Sequence, residues 1–232
     1  LSRLRKKEIF KTPNLKNKKN DIAAIIYSSG STGRSKGIVI PHINFVKGAK
    51  IVSKYLNTTY NDRIAGVLSL NFDYGLNQLW QSLLLGCSIF FHEFVFSKDL
   101  LNFINKNKIT VIPLMPTIIS MLFDGVSSVE KIKKIKNIKY ICTSGGPVSL
   151  NMINKLKLIF INSKIYLMYG LTEAFRSTYL NPKKILKKPN SIGQAIPTVK
   201  IHVLNKYHRD CKVNEIGELV HRGGCVSSKY WN

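Results

Sequence analysis

Short apolar runs alternate with segments of helical periodicity along most of this chain, and the alternation strongly limits the folds it can adopt. Seven runs are typical of strands, the first of them expected to be buried: 22–27, 38–40, 64–70, 88–94, 109–114, 138–142 and 164–168. Five segments between them have helical spacing, with Ser97 and Ser149 as expected N-caps: 45–56, 74–85, 97–106, 116–123 and 149–160. Strands that alternate with helices build parallel βαβ units, so the sequence predicts an α/β fold around a parallel sheet.

The pattern changes near Ser191. Beyond it, 199–204 and 218–221 are predicted as short strands separated by turns, which indicates the start of a small β subdomain at the C-terminal end. The first 20 residues are basic and have little apolar pattern, as expected for a linker or a frayed end. We therefore divide the chain into a linker at 1–20, an α/β core at 21–190 and the start of a β subdomain at 191–232.

The formal net charge of +24 raises the question of a nucleic-acid partner. Most of the basic residues are lysines, which are weaker than arginine at bidentate recognition of phosphates and bases. They are also scattered along the chain in short clusters. We therefore interpret them as solvated surface and expect no specific nucleic-acid partner, with a functional basic patch as the alternative.

Cysteine spacing and hydropathy bear on the compartment of the protein. The four cysteines are widely spaced without a C-x-x-C pair, which argues against a zinc site and favours buried thiols in a reducing compartment. The most apolar stretch, 79–91, is well short of the roughly 20 residues that span a bilayer. These features predict a cytoplasmic protein without a membrane span.

A loop rich in glycine and serine is predicted between the first two strands, within the segment YSSGSTGRSKG at 27–37. Glycines let the backbone approach a ligand closely, hydroxyls can donate hydrogen bonds and a lysine supplies a compact positive charge. These are the parts of a polyphosphate cradle: Ser28, Ser29, Gly30, Ser31, Thr32, Gly33, Lys36 and Gly37. The loop is not a Walker A motif, since Ser35 precedes Lys36 and Gly37 follows it.

The same loop resembles the signature loop of adenylate-forming enzymes, with Ser35 in place of the usual proline. The resemblance continues through NFDYG at 71–75, TSGGPV at 143–148, LMYGLTEA at 167–174 and the C-terminal segment from Gly217, in which Lys229 stands where glycine is usual. It covers about residues 21–232. In finer detail the sequence looks most like bacterial acyl-CoA ligases associated with exosortase and exopolysaccharide loci.

The resemblance implies roles for individual residues. The implied catalytic residues are Lys36, Thr172 and Glu173, of which Glu173 is the oxygen ligand of Mg²⁺. The implied nucleotide-binding residues are Ser28, Ser29, Gly30, Ser31, Thr32, Gly33, Lys36, Gly145, Gly146, Pro147, Tyr169, Gly170 and Thr172. Tyr169 is expected to stack on the purine and Thr172 to hydrogen-bond the α-phosphate. The implied substrate-binding residues are Phe72, Asp73 and Gly146.

Two acidic or basic positions near these motifs have more than one interpretation. Asp73 is expected either to hold the ammonium group of an amino-acid substrate or to cap the helix that begins near Tyr74. Arg176 is expected to face either the phosphates or the surface.

The implied reaction is ATP-dependent activation of a small carboxylic acid as acyl-AMP, with Mg²⁺, followed by transfer to the thiol of CoA or of phosphopantetheine. An acyl-carrier protein is thus a further expected partner. The alternatives are an amino-acid-activating adenylation module that loads a carrier protein, and a truncated, non-catalytic nucleotide-binding protein. Complete family members have a longer N-terminal portion and a C-terminal lid domain, so we expect a fragment of the large domain with little activity of its own.

Overall fold

The computed structural model describes residues 18–29, 35–123 and 133–231. Its helices are α1 (His42–Leu56), α2 (Asp73–Leu85), α3 (Ser97–Lys106), α4 (Pro116–Phe123) and α5 (Leu150–Ile159). Its strands are β1 (Ile22–Ser29), β2 (Ser35–Pro41), β3 (Arg63–Gly66), β4 (Ser88–Phe91), β5 (Val111–Leu114), β6 (Tyr140–Thr143), β7 (Lys164–Tyr169), β8 (Thr178–Leu180), β9 (Gln194–Ala195), β10 (Val199–Leu204), β11 (Glu218–Gly223) and β12 (Lys229–Trp231). Within these ranges, no helix is both long enough and apolar enough to cross a membrane.

A seven-stranded sheet forms the centre of the structure, with the order β4-β3-β5-β6-β7-β8-β9. The strands from β4 to β7 in this order pair in parallel, whereas β8 and β9 pair antiparallel at one edge. Helices connect the parallel strands, as βαβ crossovers require. The predicted α/β fold with a mostly parallel sheet is confirmed.

Apolar residues on both faces of the sheet build its core. Neighbouring residues of one strand point to opposite faces, so Ile112 and Ile141 pack with α3, α4 and α5, whereas Val111 and Tyr140 pack with α1 and α2. Each face therefore needs a helical layer, which explains why the central strands are continuous apolar runs.

The hairpin of β1 and β2 belongs to a separate three-stranded antiparallel sheet with the order β1-β2-β12. Residues 30–34, at its tip, lie outside the described residues. The expectation that the first strand is buried is wrong, because β1 is an edge strand: Ile22 and Tyr27 are 48% and 60% exposed. The central strand β2 is buried from Gly37 to Pro41.

Two other sequence predictions differ in detail, and a third is confirmed. Strand β3 ends at Gly66 rather than Leu70, and the chain then turns back so closely that a Cβ on Gly75 would clash with the Ser69 carbonyl oxygen. Ser97 begins α3 but donates its hydroxyl to the Met121 carbonyl, so it is not the expected N-cap. The Ser149 cap is confirmed, since its Oγ accepts from the Met152 N–H at 3.2 Å.

The residues beyond 191 divide among three sheets. Strand β9 extends the central sheet, β10 and β11 pair only with each other among the described strands, and β12 pairs with β2. Most of the predicted linker at 1–20 lies outside the described residues. The division into a core and a β subdomain stays a prediction.

Candidate nucleotide site

A cavity of about 650 Å³ lies at the carboxyl ends of β6 and β7. Five predicted site residues line it: Gly145, Gly146, Pro147, Tyr169 and Gly170. Gly145 has a φ of 90°, a left-handed conformation that favours glycine. Carboxyl ends of parallel strands are where open α/β sheets bind ligands, so the fold and the motifs indicate the same place.

The chain after β7 makes a tight turn that carries Thr172 and Glu173. Leu171 and Ala174 exchange backbone hydrogen bonds at 3.1 and 3.2 Å. The turn folds back so closely that a Cβ on Gly170 would lie 2.6 Å from the backbone nitrogen of Arg176. Glycine is therefore required at this position by contact with backbone atoms.

Glu173 and Lys36 meet through a tyrosine that sequence analysis did not single out. The Tyr230 hydroxyl donates to Oε1 of Glu173 at 3.2 Å, and Lys36 Nζ lies 5.4 Å from the centroid of the Tyr230 ring. The negative charge of Glu173, together with this hydrogen bond, raises the pKa of Tyr230 above its ordinary value. In the sequence, Tyr230 was indicated only by the resemblance of the C-terminal segment, and that resemblance implies no role for it in the site.

The predicted phosphate loop is described in part. Ser28 and Ser29 end β1, opposite Lys36 and Ser35 of β2. The remaining predicted residues of the loop lie outside the described residues: Gly30, Ser31, Thr32 and Gly33. Lys36 is thus held by strand pairing at the base of the loop, on the strand next to Tyr230.

The donor set fits a metal that depends on the nucleotide. The described ranges contain no group of three or more His, Cys, Asp or Glu residues able to hold an ion by themselves. Mg²⁺ usually takes one or two carboxylates and completes its shell with substrate phosphates and waters. Glu173 has the chemistry of such a ligand, and through Tyr230 it is linked to Lys36 of the hairpin of β1 and β2, here called the phosphate hairpin.

Asp73 and Arg176 form an ion pair near the start of α2. Asp73 Oδ2 lies 3.8 Å from Arg176 Nη1, which also donates to Ser144 Oγ at 3.3 Å. Arg176 is only 2% exposed, and its guanidinium carbon lies 4.3 Å from the ring centroid of Tyr74. Nε and Nη2 of Arg176 have no hydrogen-bond partner within the described part of the chain.

The surroundings of this pair contradict the surface interpretation of Arg176 and the capping interpretation of Asp73. Arg176 does not face the surface, because it is buried against aromatic rings; the alternative that it faces the phosphates stays a prediction. Asp73 is the first residue of α2, the N-cap is Phe72, and the described residues show no side-chain cap bond there. The capping role is therefore wrong.

Two further predicted site residues lie near Asp73. Phe72 is 56% exposed at the same helix start, and Thr172 and Asp73 line one small cleft.

Known proteins that are similar to this chain in sequence include adenylate-forming enzymes and acid–CoA ligases. A family model described as AMP-binding enzyme matches residues 2–231. Gramicidin S synthase 1 of Brevibacillus brevis is 29% identical over 226 residues, which are 92% of this chain and 19% of that protein. The 2-succinylbenzoate–CoA ligase of Bacillus subtilis is 27% identical over 214 residues, 90% of this chain and 42% of the ligase.

A solved structure shows the same fold. O-succinylbenzoate coenzyme A synthetase from Bacillus subtilis, in complex with ATP and magnesium ion, superposes with a TM-score of 0.83 at 25% identity. The match covers 93% of this chain and 44% of the synthetase chain. This chain thus spans less than half the length of each of these relatives.

Proposed function

Because this chain belongs to the AMP-binding enzyme family, we propose that it carries the nucleotide site of an enzyme that activates a carboxylic acid as acyl-AMP with ATP and Mg²⁺. In the complete enzyme the acyl group then passes to a thiol, that of CoA or of a carrier protein's phosphopantetheine. The observation that carries the proposal is the convergence of Lys36 and Glu173 on Tyr230, from the phosphate hairpin and from the turn after β7. The relatives named above, one of which binds ATP and magnesium, support it.

The proposed chemistry requires positioning more than covalent catalysis. A carboxylate oxygen of the acid attacks the α-phosphorus of ATP, an acyl-phosphate bond forms and pyrophosphate leaves. The phosphate loop and Lys36 hold the departing phosphates, and Thr172 hydrogen-bonds the α-phosphate. Glu173 holds Mg²⁺, which supplies positive charge to the phosphate oxygens when bound.

The remaining predicted residues form the walls of the site. Gly145, Gly146 and Pro147 border the adenine and the acyl group, because their turn lines the cavity without bulky side chains. Tyr169 provides an aromatic face for the purine. Phe72, exposed at the start of α2, contacts the acid.

The state of Asp73 favours an acid without an ammonium group. Its carboxylate already has a buried cation 3.8 Å away in Arg176, so an incoming ammonium would compete with an existing ion pair. Amino-acid activation is the second candidate, supported by the similarity to gramicidin S synthase 1. Acid-dependent pyrophosphate exchange by the complete enzyme, with amino acids against other carboxylic acids, distinguishes the two.

The nucleotide site can be tested on this chain by calorimetry with ATP and Mg²⁺. Lys36→Ala and Glu173→Ala should each weaken binding about 10-fold or more, because each removes a contact to a charged group worth about 1.5–3 kcal/mol. Lys206→Ala is a matched control, since Lys206 also lies over a tyrosine ring, at 5.1 Å from the centroid of Tyr207. Glu218→Ala, at an exposed position, controls for loss of a carboxylate.

Binding that weakens in both site variants and in neither control supports the proposal. Wild-type chain that fails to bind ATP, or that binds equally well after both site substitutions, contradicts it.

A further inference from the structure

The C-terminal segment 225–231, here called the strap, joins the Glu173 turn to the phosphate hairpin. On one side, the Ser227 N–H donates to the Glu173 carbonyl at 2.7 Å, and the Cys225 carbonyl accepts from the Phe175 N–H at 3.0 Å. On the other side, the Ser228 N–H donates to the Val39 carbonyl at 3.2 Å, and β12 then pairs with β2. The strap therefore links two parts of the proposed site by backbone hydrogen bonds, the turn after β7 and the strand β2.

Backbone pairing determines where the side chain of Tyr230 lies. Tyr230 is the central residue of β12 and faces Ile38 in the register with β2. The contact between these strands is close, because a Cβ on Gly37 would lie 3.0 Å from the Trp231 Cβ. With its backbone fixed, the aromatic side chain has few torsions left, so its hydroxyl reaches Glu173 at little further cost in conformational entropy.

The Tyr230 hydroxyl occupies one oxygen of the Glu173 carboxylate and leaves the other for a ligand. It donates to Oε1 at 3.2 Å, which orients the carboxylate, and Oε2 has no hydrogen-bond partner among the described residues. Mg²⁺ demands near-ideal octahedral geometry and takes few carboxylate oxygens beside phosphate and water. Hydrogen-bonded partners that orient a metal ligand commonly change metal affinity about 10–100-fold when removed.

We propose that Tyr230 is a positioning residue, which orients Glu173 for the metal bound with the nucleotide and couples it to Lys36 of the phosphate hairpin. The inference rests on the proposed function, since it assigns a partner to the metal ligand of that same site. It adds the C-terminal strap to the nucleotide site.

The test compares ATP affinity with and without Mg²⁺ in the wild-type chain and in Tyr230→Phe. This substitution removes the hydroxyl and keeps the ring that lies under Lys36. We expect the ratio of the dissociation constant in EDTA to that in Mg²⁺ to fall about tenfold, with affinity in EDTA unchanged. Tyr207→Phe is the control, because Tyr207 is also an exposed tyrosine beside a lysine.

A second comparison measures the coupling between Tyr230 and Glu173 directly. In a Glu173→Gln background, Tyr230→Phe should change the magnesium ratio no further, because the carboxylate that the hydroxyl orients is already absent. Thermal unfolding of each variant monitors the fold.

The outcomes separate the two levels of the proposal. If the wild-type chain binds ATP but Tyr230→Phe leaves the magnesium ratio unchanged, the role of Tyr230 alone is overturned. The same holds if Tyr230→Phe lowers the affinity equally in EDTA and in Mg²⁺. A wild-type chain that binds no ATP, or binds it without regard to Mg²⁺, overturns the proposed function together with this inference.

Discussion

Replacing Arg176 by methionine should lower the free energy of unfolding by about 2 kcal/mol, and adding Asp73→Asn should restore most of that loss. Removing one member of a buried ion pair leaves an uncompensated charge, at a cost of about 3–5 kcal/mol when the pair is fully buried. The Asp73 side chain is 15% exposed and the two charged atoms are 3.8 Å apart, so we expect a smaller cost, about 2 kcal/mol, for this partly exposed pair.

The double variant should come within about 1 kcal/mol of the wild type, because replacing a buried pair with uncharged groups of similar volume is often nearly neutral. The surroundings of Arg176 support this value. Its guanidinium gains from the rings of Tyr74 and Phe175 and from the hydrogen bond to Ser144. Two of its buried nitrogens have no partner among the described residues, and each such donor costs about 1–3 kcal/mol, which offsets the gains.

Urea unfolding followed by circular dichroism measures all four members of this double-mutant cycle. Asp73→Asn alone is the fourth member and should also destabilise, since it leaves Arg176 buried without its anion. The reasoning is refuted if the double variant is no more stable than Arg176→Met, because the two side chains would then not be coupled.

Two further substitutions test the fold on the side of the sheet opposite the site and the turn within the site. Burial raises the pKa of Asp62, but the hydrogen bond from Lys139 and others lower it more, so its pKa in the folded state is below the ordinary value. Asp62→Asn should therefore lower the free energy of unfolding by about 2 kcal/mol at pH 7, a figure discounted because Lys139 is 33% exposed. In urea unfolding, the difference from the wild type should shrink as the pH falls below about 4. An equal difference at pH 3 and pH 7 would contradict this. Gly170→Ala should weaken ATP binding at least about tenfold, because its Cβ would meet the Arg176 backbone nitrogen at 2.6 Å. Gly224→Ala is the control, since its Cβ would have nothing nearer than 3.8 Å, and it should leave the calorimetric affinity for ATP unchanged. Equal affinity in both variants would show that the turn adapts.

Apolar periodicity predicted the central elements well because burial on both faces produces it. The ranges of α4 and β10 match the sequence prediction at both ends, and β7 extends it by one residue. Strands β8, β9 and β12 were missed, since each has only two or three residues and is held by its neighbours rather than by its own pattern. Short half-exposed strands carry too few residues to show a period.

The site was predictable where it depends on chain order and not where it depends on tertiary contact. Turns after β6 and β7 must lie side by side because those strands are parallel neighbours, so Gly145 and Tyr169 could be expected to line one cavity. The hydrogen bond between Tyr230 and Glu173 joins a residue of β12 to a turn residue 57 positions away in the chain. The pairing of Asp73 with Arg176 likewise depends on packing that no local pattern encodes.

The side of the central sheet at the amino ends of its parallel strands, here the amino edge, and the side at their carboxyl ends, the carboxyl edge, differ in how well their buried polar groups are hydrogen-bonded. At the amino edge, Asp62 accepts from Lys139 at 2.7 Å and from Thr110 at 3.0 Å, so its charge is balanced within the protein. At the carboxyl edge, Thr143 and Arg176 keep buried polar atoms without a partner in the described ranges. Unsatisfied buried groups cost stability, and proteins retain them mainly at functional sites. This asymmetry supports the proposed site at the carboxyl edge, because it rests on side-chain partners rather than on sequence spacing.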